Sequence, residues 1–499
     1  MNCEFFFKNA YVKDSLAILA GCILTFAFAP FSFYLLAVIS PACLLILLKN
    51  LTPKRAFFRA WAYGLGFFGG SVYWVYISIH FYGNTSPLLA GFITSVFIAF
   101  LAIFPGLTGY FFNRYFSKND TYAYIFAFPA IWVIVEWIRS NIFTGFPWVL
   151  LGTSQVHSPI AGFAPIAGVY AVSLLVLVTA GLCVDLLYHR RLRNIFFIFL
   201  IWGLGFGLQF IAWTKPVGAP VQVSLIQGNI PQDIHWSYES LIPTLKRYQQ
   251  LTDQHWDSKI IIWPENAIPI PLQNATNFID FMTENAAKHQ ATIIAGIPVK
   301  HETDDTYYNA IITFGNDSGF YLKHRLVPFG EYTPFVGLLK GVLDRFQIPM
   351  SNMVPGVGIP KPLIAHGLKI APFICYEIAF PEQVLQRDGD IDMLLTVSND
   401  AWFGQSIALA QHLEMAQMRA LEMGRPVLFV SNTGITAIIR PNGKIQSEAP
   451  PDQIYVLTDK VQTVNGKTPW QRYGMDPAWI MIILFLFYAI TSQRKKKSE

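Results

Sequence analysis

Long stretches without charged residues constrain this 499-residue chain more than any other feature. Only 13% of its residues are charged and 53% are hydrophobic, whereas a typical soluble domain has about 25% charged residues. A helix that crosses a bilayer needs roughly 20 apolar residues. The uncharged runs are 15–48, 60–113, 122–135, 140–184, 194–214 and 477–493. The chain is therefore predicted to be an integral membrane protein.

The uncharged runs divide the chain into four predicted regions. Residues 1–214 form a membrane domain of about seven helices, and residues 476–493 form one further membrane helix. Between them, residues 215–475 form a large polar domain, and residues 494–499 are a basic tail. The seven helices are far more than a soluble domain needs as an anchor.

Basic residues predict the orientation in the membrane, because cytoplasmic loops carry an excess of Lys and Arg. With eight spans, all the basic clusters fall on one side of the membrane. These clusters lie at 54–59, 114–118, 190–193 and 494–497. The polar domain then lies on the opposite side, which in a bacterium is the periplasm.

The polar domain has the pattern of an α/β fold. Apolar, β-branched runs predict strands at 221–228, 259–265, 291–298, 307–315, 369–377, 393–400 and 426–432. Helical periodicity predicts helices at 239–256, 276–290, 381–388 and 406–424. Several strands are apolar throughout, which is typical of sheets covered on both faces.

Three segments carry candidate catalytic side chains, and two of these segments lie at predicted strand ends. Glu265 ends the strand IIWPE, and could act as a general base or simply pair with a cation at a sheet rim. Lys323 and Glu331 flank a rigid Pro–Phe–Gly turn, in a segment that could otherwise be an ordinary basic patch. Cys375 is the only cysteine in the polar domain, and could be a nucleophile or a core residue.

The order of these motifs resembles the nitrilase (carbon–nitrogen hydrolase) superfamily. The matching segments are WPE, then KHRLVPFGE, then CYEIAFPE, with SNDAWFG (398–404) in support. The resemblance implies an α-β-β-α sandwich with Glu265, Lys323 and Cys375 as its catalytic triad. One departure is Asn266, since Ser or Thr is common at that position.

With the membrane helices included, nearly the whole chain resembles the apolipoprotein N-acyltransferase family of bacterial inner membranes. FAPF (28–31), EWIRSNIFTGFPW (136–148) and QGNIPQDIHW (227–236) agree. The resemblance implies that Cys375 takes an acyl chain from a phospholipid, typically the sn-1 chain of phosphatidylethanolamine, as a thioester. A ping-pong second step would pass it to the N-terminal diacylglyceryl-cysteine amine of an apolipoprotein, the last step of lipoprotein maturation.

No cofactor, metal ion or nucleic acid is expected to take part in this chemistry. The histidines are scattered, and the polar domain has too few cysteines for a Cys-based zinc site. The transfer from thioester to amide is downhill, so it needs no nucleotide. The expected partners are the phospholipid, the apolipoprotein and the membrane itself.

Further residues are candidates for supporting or substrate-binding roles. By analogy Glu331, Tyr376 and Glu377 complete the site, with Glu331 orienting Lys323 or tuning its charge. The candidates for substrate contact are Trp236, Trp402, Phe403, Glu136 and Arg139. Core packing explains the three aromatic residues equally well. A structural ion pair explains Glu136 and Arg139, which are three residues apart on one helix face, equally well.

Residues 335–346 (FVGLLKGVLDRF) place their apolar side chains near one helix face. In a polar domain this pattern predicts an amphipathic lid that lies on the membrane surface and gates the entry of the acyl chain. A buried helix is the alternative.

Two other functions are compatible with parts of the sequence. A membrane-tethered amidase would use the same triad with water as the second nucleophile. A transporter whose outer domain only binds solute would not need an intact Glu–Lys–Cys set, and its spans would be expected to hold more charged residues than these do.

Overall fold

A computed structural model describes residues 10–116, 121–232, 238–333, 352–385 and 390–498. The proposed lid at 335–346 and the side chain of Trp236 lie outside these ranges. The chain divides into two compact units. The described parts of Met1–Tyr76, Ser86–Ala212 and Thr468–Glu499 form the helical unit, and those of Ile77–Thr85 and Trp213–Lys467 form the β-rich unit.

The helical unit is built from helices that are mostly apolar. They are α1 (Ala10–Thr25), α2 (Leu36–Leu47), α3 (Pro53–Ser71), α5 (Pro87–Tyr115), α6 (Phe128–Asn141), α7 (Ala164–His189), α8 (Arg193–Leu208), α13 (Pro469–Tyr473) and α14 (Asp476–Ser498), with the short α4 (Trp74–Ile77) passing into the other unit.

Four helical segments of the described chain are long and apolar enough to cross a membrane. They are Pro87–Tyr115, Ala123–Thr144, Pro159–His189 and Asp476–Gln493; Leu36–Leu47 and Arg193–Leu208 are shorter apolar helices. These helices fit a membrane protein, while the number of about seven spans before the polar domain stays a prediction.

Glycines let α1 and α3 pack backbone against backbone. A Cβ atom added to Gly21 would lie 2.0 Å from the carbonyl oxygen of Tyr63, and one added to Gly66 would lie 2.0 Å from that of Ile18. Small residues at such crossings are a common way for membrane helices to approach closely.

The β-rich unit contains two six-stranded sheets. The strands of the unit are β1 (Lys215–Pro216), β2 (Val221–Gln227), β3 (Ile260–Ile262), β4 (Thr292–Lys300), β5 (Tyr307–Gly315), β6 (Gly319–Leu322), β7 (Leu363–Ala365), β8 (Leu368–Ile374), β9 (Met393–Ser398), β10 (Val427–Ser431), β11 (Ala437–Ile439), β12 (Ile445–Glu448), β13 (Tyr455–Val461) and β14 (Val464–Asn465). The first sheet has the strand order β13-β2-β3-β4-β5-β6, and the second has the order β12-β11-β10-β9-β8-β7. Parallel pairing joins β2, β3 and β4 in one sheet and β8, β9 and β10 in the other.

The two sheets face each other across an apolar core and carry helices on their outer faces. Ile262 of β3 and Leu428 of β10 belong to one buried cluster that both sheets share. The outer face of the first sheet packs on α9 (Tyr238–Asp253) and α10 (Thr276–Lys288), and α12 (Ala408–Met423) contacts the second. The short α11 (Pro381–Leu385) follows β8 in the chain. The predicted α-β-β-α sandwich is therefore confirmed.

Candidate active site

The candidate catalytic side chains lie at the ends of three strands. Glu265 follows β3, Lys323 directly follows β6, and Cys375 directly follows β8. Ligand sites in α/β sheets form at the carboxyl ends of parallel strands, and β3 and β8 both have parallel neighbours. The fold therefore brings three residues that are far apart in sequence to one region of the sandwich.

A buried cation joins two carboxylates at this place. The Lys323 side chain is only 1% exposed, and its Nζ atom donates hydrogen bonds to Glu331 Oε1 at 2.8 Å and Glu265 Oε1 at 3.4 Å. Asn309 of β5 donates from Nδ2 to the same two oxygen atoms, at 2.7 Å to Glu265 and 2.9 Å to Glu331. Lys323 and Asn309 thus hold the two carboxylates in one network.

Backbone amides fix the remaining oxygen of each carboxylate. Glu265 Oε2 accepts a hydrogen bond of 2.9 Å from the amide of Asn399, and Glu331 Oε2 accepts one of 2.8 Å from the amide of Val327. All four carboxylate oxygens therefore have donors. This matters because a buried charge without hydrogen bonds is very unfavourable.

Burial and charge set the protonation of this network. Burial raises the pKa of Glu265, and the negative charge of Glu331 raises it further, while Lys323 and the hydrogen bonds oppose the shift. Burial alone lowers the pKa of Lys323, but the charges of Glu331 and Glu265 outweigh it, so the pKa lies above its usual value. Lys323 is therefore a permanent cation, and Glu265 is a carboxylate that takes up a proton more readily than an exposed Glu does.

Cys375 adopts a backbone conformation that is unusual for a residue with a side chain. Its φ angle is +51°, and a short 3-10 turn, Cys375–Ala379, begins at this residue. Burial raises the pKa of the Cys375 thiol well above its usual value, and the charges of Glu265 and Asp400 raise it further, outweighing the opposite effects of Lys323 and Ser398. The resting thiol is therefore protonated and needs a base when it reacts.

Glu377 connects the strand that carries Cys375 with the segment that carries Lys323. It is fully buried. It accepts hydrogen bonds from the Ile374 amide, the Tyr321 hydroxyl, the His324 and Arg325 amides and the Gln383 side chain. No bond among these reaches a triad side chain, so the contacts of Glu377 are those of a scaffold for the site.

The other predicted aromatic residues differ in exposure. Tyr376 is buried, with its ring edge-on to that of Phe380 at 5.0 Å. Trp402 is 39% exposed, and the ring of Phe403 lies edge-on to that of His412 at 6.3 Å.

Trp402 contacts a segment that no motif had linked to it. Its ring lies 5.8 Å from that of Tyr82, and its carbonyl oxygen accepts a hydrogen bond of 2.8 Å from the Ser78 hydroxyl. Both partners lie in Ile77–Thr85, a segment between apolar runs that groups with the β-rich unit.

Glu136 and Arg139 lie in α6 of the helical unit and are both buried. Arg139 Nη1 donates to the carbonyl oxygens of Phe146 and Trp148, both at 2.7 Å. Glu136 Oε1 accepts a hydrogen bond of 2.7 Å from the amide of Leu151. The two side chains thus bind the backbone of the segment that follows their own helix, and substrate contact by them stays a prediction.

Sequence reasoning missed Asn309 and Asn399 as parts of the site. A polar residue inside the apolar strand YYNAIITFG was the available signal for Asn309, and the SNDAWFG motif was the signal for Asn399. Within the described residues, no group of three or more His, Cys, Asp or Glu side chains could hold a metal ion.

Two family models match the chain. Residues 20–182 match the Apolipoprotein N-acyltransferase N-terminal domain, and residues 222–466 match Carbon-nitrogen hydrolase.

Three relatives match over almost the full chain, and each is named Apolipoprotein N-acyltransferase. The protein of Coxiella burnetii is 43% identical over 95% of this chain and 99% of its own length. That of Pseudomonas syringae is 40% identical over 98% of this chain and 99% of its own length. That of Vibrio parahaemolyticus is 39% identical over 96% of this chain and 97% of its own length.

Replacing Lys323 with Met is expected to slow alkylation of Cys375 by iodoacetamide at pH 8. The positive charge of Lys323 lowers the pKa of the thiol, so its loss raises that pKa, and each unit lowers the thiolate fraction about tenfold. Peptide mass spectrometry would measure the rate at Cys375, with Cys183 as internal reference. Lys369→Met, at an exposed lysine, is the matched control. Unchanged or faster alkylation in Lys323→Met would contradict this electrostatic role.

Proposed function

Because the chain belongs to the apolipoprotein N-acyltransferase family, we propose that it transfers an acyl chain from a phospholipid to the N-terminal amine of an apolipoprotein through a thioester on Cys375. The donor is the sn-1 chain of phosphatidylethanolamine, and the acceptor is the diacylglyceryl-cysteine amine. The β-rich unit acts in the periplasm, at the inner membrane of a bacterium. The observation that carries the proposal is the buried Glu265–Lys323–Glu331 network beside a thiol at a strained strand end.

In the first step Cys375 attacks the ester carbonyl carbon. A bond forms between sulfur and carbon, the thiol proton moves to Glu265, and the carbonyl electron pair moves onto oxygen. The raised pKa of Glu265 favours this uptake. When the intermediate collapses, the bond from carbon to the glycerol oxygen breaks. Glu265 returns its proton to that oxygen, so a lysophospholipid leaves and the thioester remains.

Lys323 stabilises the negative oxygen of the intermediate. Before the attack its charge is shared between two carboxylates. Once Glu265 is protonated, one of those carboxylates is neutral, and the attraction to the new oxyanion replaces the one that was lost. Such preorganised donors contribute roughly 3–4 kcal/mol to catalysis.

In the second step the amine of the lipoprotein attacks the thioester carbon. The nitrogen–carbon bond forms and Glu265 takes a proton from the nitrogen. The carbon–sulfur bond then breaks, and Glu265 returns the proton to the thiolate. The products are an amide and the free Cys375 thiol, so the enzyme returns to its starting state without a cofactor.

The supporting residues have distinct proposed roles. Glu331 holds Lys323 and keeps the pKa of Glu265 raised. Glu377 fixes the ends of β6 and β8 relative to each other. Tyr376 packs behind the nucleophile, and Trp402 and Phe403 contact the acyl chain, together with Trp236.

Labelled phosphatidylethanolamine tests the proposal directly. Purified protein incubated with phosphatidylethanolamine that carries a labelled sn-1 chain is expected to gain a label that hydroxylamine removes, as a thioester requires. Cys375→Ala should abolish the label and Cys183→Ala should retain it. A diacylated lipopeptide added to the labelled protein should receive the chain as an amide. Persistence of the label in Cys375→Ala, or release of free fatty acid in place of the amide, would contradict the proposal; the second outcome indicates an amidase-like hydrolase.

Glu265 must be ionised to act as the base, so the acylation rate should fall as the pH is lowered through its pKa. Because that pKa is raised, the fall should occur at a higher pH than it would with an exposed Glu as the base. Glu331→Gln removes a negative charge that raises this pKa, so the fall should move to lower pH. The rate of lysophospholipid release between pH 4.5 and 8 measures both effects. Glu284→Gln, at an exposed glutamate of α10, should leave the profile unchanged. A shift to higher pH in Glu331→Gln would contradict the assignment of Glu265 as the base.

A further inference from the structure

A buried histidine contacts the backbone of the nucleophile. His412 of α12 is fully buried, and its Nε2 atom lies 3.1 Å from the carbonyl oxygen of Cys375. Its Nδ1 atom lies 3.1 Å from Asp400 Oδ1. The Ser398 hydroxyl donates to the same carboxylate oxygen at 2.6 Å. His412, Asp400 and Ser398 thus form a buried polar chain that begins at the carbonyl oxygen of Cys375.

The partners of His412 define its protons. A carbonyl oxygen only accepts hydrogen bonds, so Nε2 must carry a proton and donate it. The Nδ1 atom faces the Asp400 carboxylate, and this contact holds the ring so that Nε2 points at the Cys375 carbonyl.

The backbone of Cys375 needs such an anchor. A residue with a side chain at a φ of +51° is strained, and it keeps this conformation only where its surroundings hold it. On one side of Cys375, the Ile374 amide donates to Glu377 at 2.8 Å. On the other side, the carbonyl of Cys375 itself accepts from His412. The bond to His412 fixes the peptide group that directly follows the Cα atom of Cys375, and the bond to Glu377 fixes the peptide group one residue before Cys375. Together they hold the backbone on both sides of the nucleophile.

We propose that His412 is a positioning residue for the nucleophile: its Nε2–H bond to the Cys375 carbonyl holds the thiol in line with Glu265 and Lys323. This inference rests on the proposed function, and it extends that function to a residue that does not touch the reacting atoms. The loss of this bond lowers the rate of acylation but not the affinity for the phospholipid.

Two amide variants separate the two contacts of His412. The side-chain nitrogen of Gln lies near the position of Nε2, so His412→Gln keeps a donor to the Cys375 carbonyl. The amide of Asn lies near the position of Nδ1, so His412→Asn keeps only the contact to Asp400. Both variants lose the imidazole, so the difference between them reports the bond to Cys375. Phe429→Leu, at a buried ring 5.0 Å from that of His412, is the control for lost packing.

The measurement is the single-turnover release of lysophospholipid at varied phosphatidylethanolamine concentration, with the melting temperature of each variant. The maximal rate of His412→Asn should fall about tenfold or more, at an unchanged half-saturating concentration. His412→Gln should recover most of that loss. Phe429→Leu should lower the melting temperature and keep the wild-type rate.

Equal maximal rates in His412→Asn and His412→Gln would overturn the inference. A wild-type rate in His412→Asn would overturn it too. So would a loss of rate in Phe429→Leu as large as that in His412→Asn. These outcomes leave the proposed function intact, because the wild type still forms the acyl-enzyme. Failure of the wild type to release lysophospholipid would instead contradict the proposed function, and the positioning role with it.

Discussion

The ion network around Lys323 is the interaction on which the rest of the site depends. Removing a lysine ammonium from water costs several kcal/mol in real proteins, so a lysine that is 1% exposed must be compensated. Two carboxylates compensate Lys323, and they come from different segments, Glu265 after β3 and Glu331 after the turn that follows β6. Because each buried charge is stabilised only by its opposite partners, the ion pairs hold the three segments together. The charges proposed to act in catalysis therefore also hold the site in its folded arrangement.

The scaffold around the network directs the thiol toward it. Cys375 follows β8, the neighbour of the edge strand β7 in one sheet, whereas Glu265 and Lys323 come from the other sheet. Glu377 bridges the two, since it binds both the amide before Cys375 and the amides after Lys323. The strained backbone of Cys375 is stable only in this setting, which is typical of nucleophiles at strand ends. The geometry of the triad therefore depends on the buried Glu377 as well as on the triad side chains themselves.

Much of this was predictable because local patterns determine it. Apolar β-branched runs predicted the central strands β2 to β5 and β8 to β10, and strand ends are where the catalytic motifs lie. Edge strands escaped prediction: β13 (YVLTDKV) contains the adjacent charged residues Asp459 and Lys460 and pairs with β2, more than 200 positions away. Asn309 and His412 also escaped, because their roles depend on partners that only the fold brings near. No local pattern in the apolar region indicated that Ile77–Thr85 would group with the β-rich unit.

The most direct test of the account is pre-steady-state release of lysophospholipid in the absence of any acceptor. If Glu265, Lys323 and Cys375 form an acyl-enzyme that waits for an amine, the protein should release one equivalent of lysophospholipid per active site in a burst. Release should then nearly stop until a lipopeptide is added. Continuous release without a burst, accompanied by equal amounts of free fatty acid, would contradict the account, because water would then be the natural acceptor.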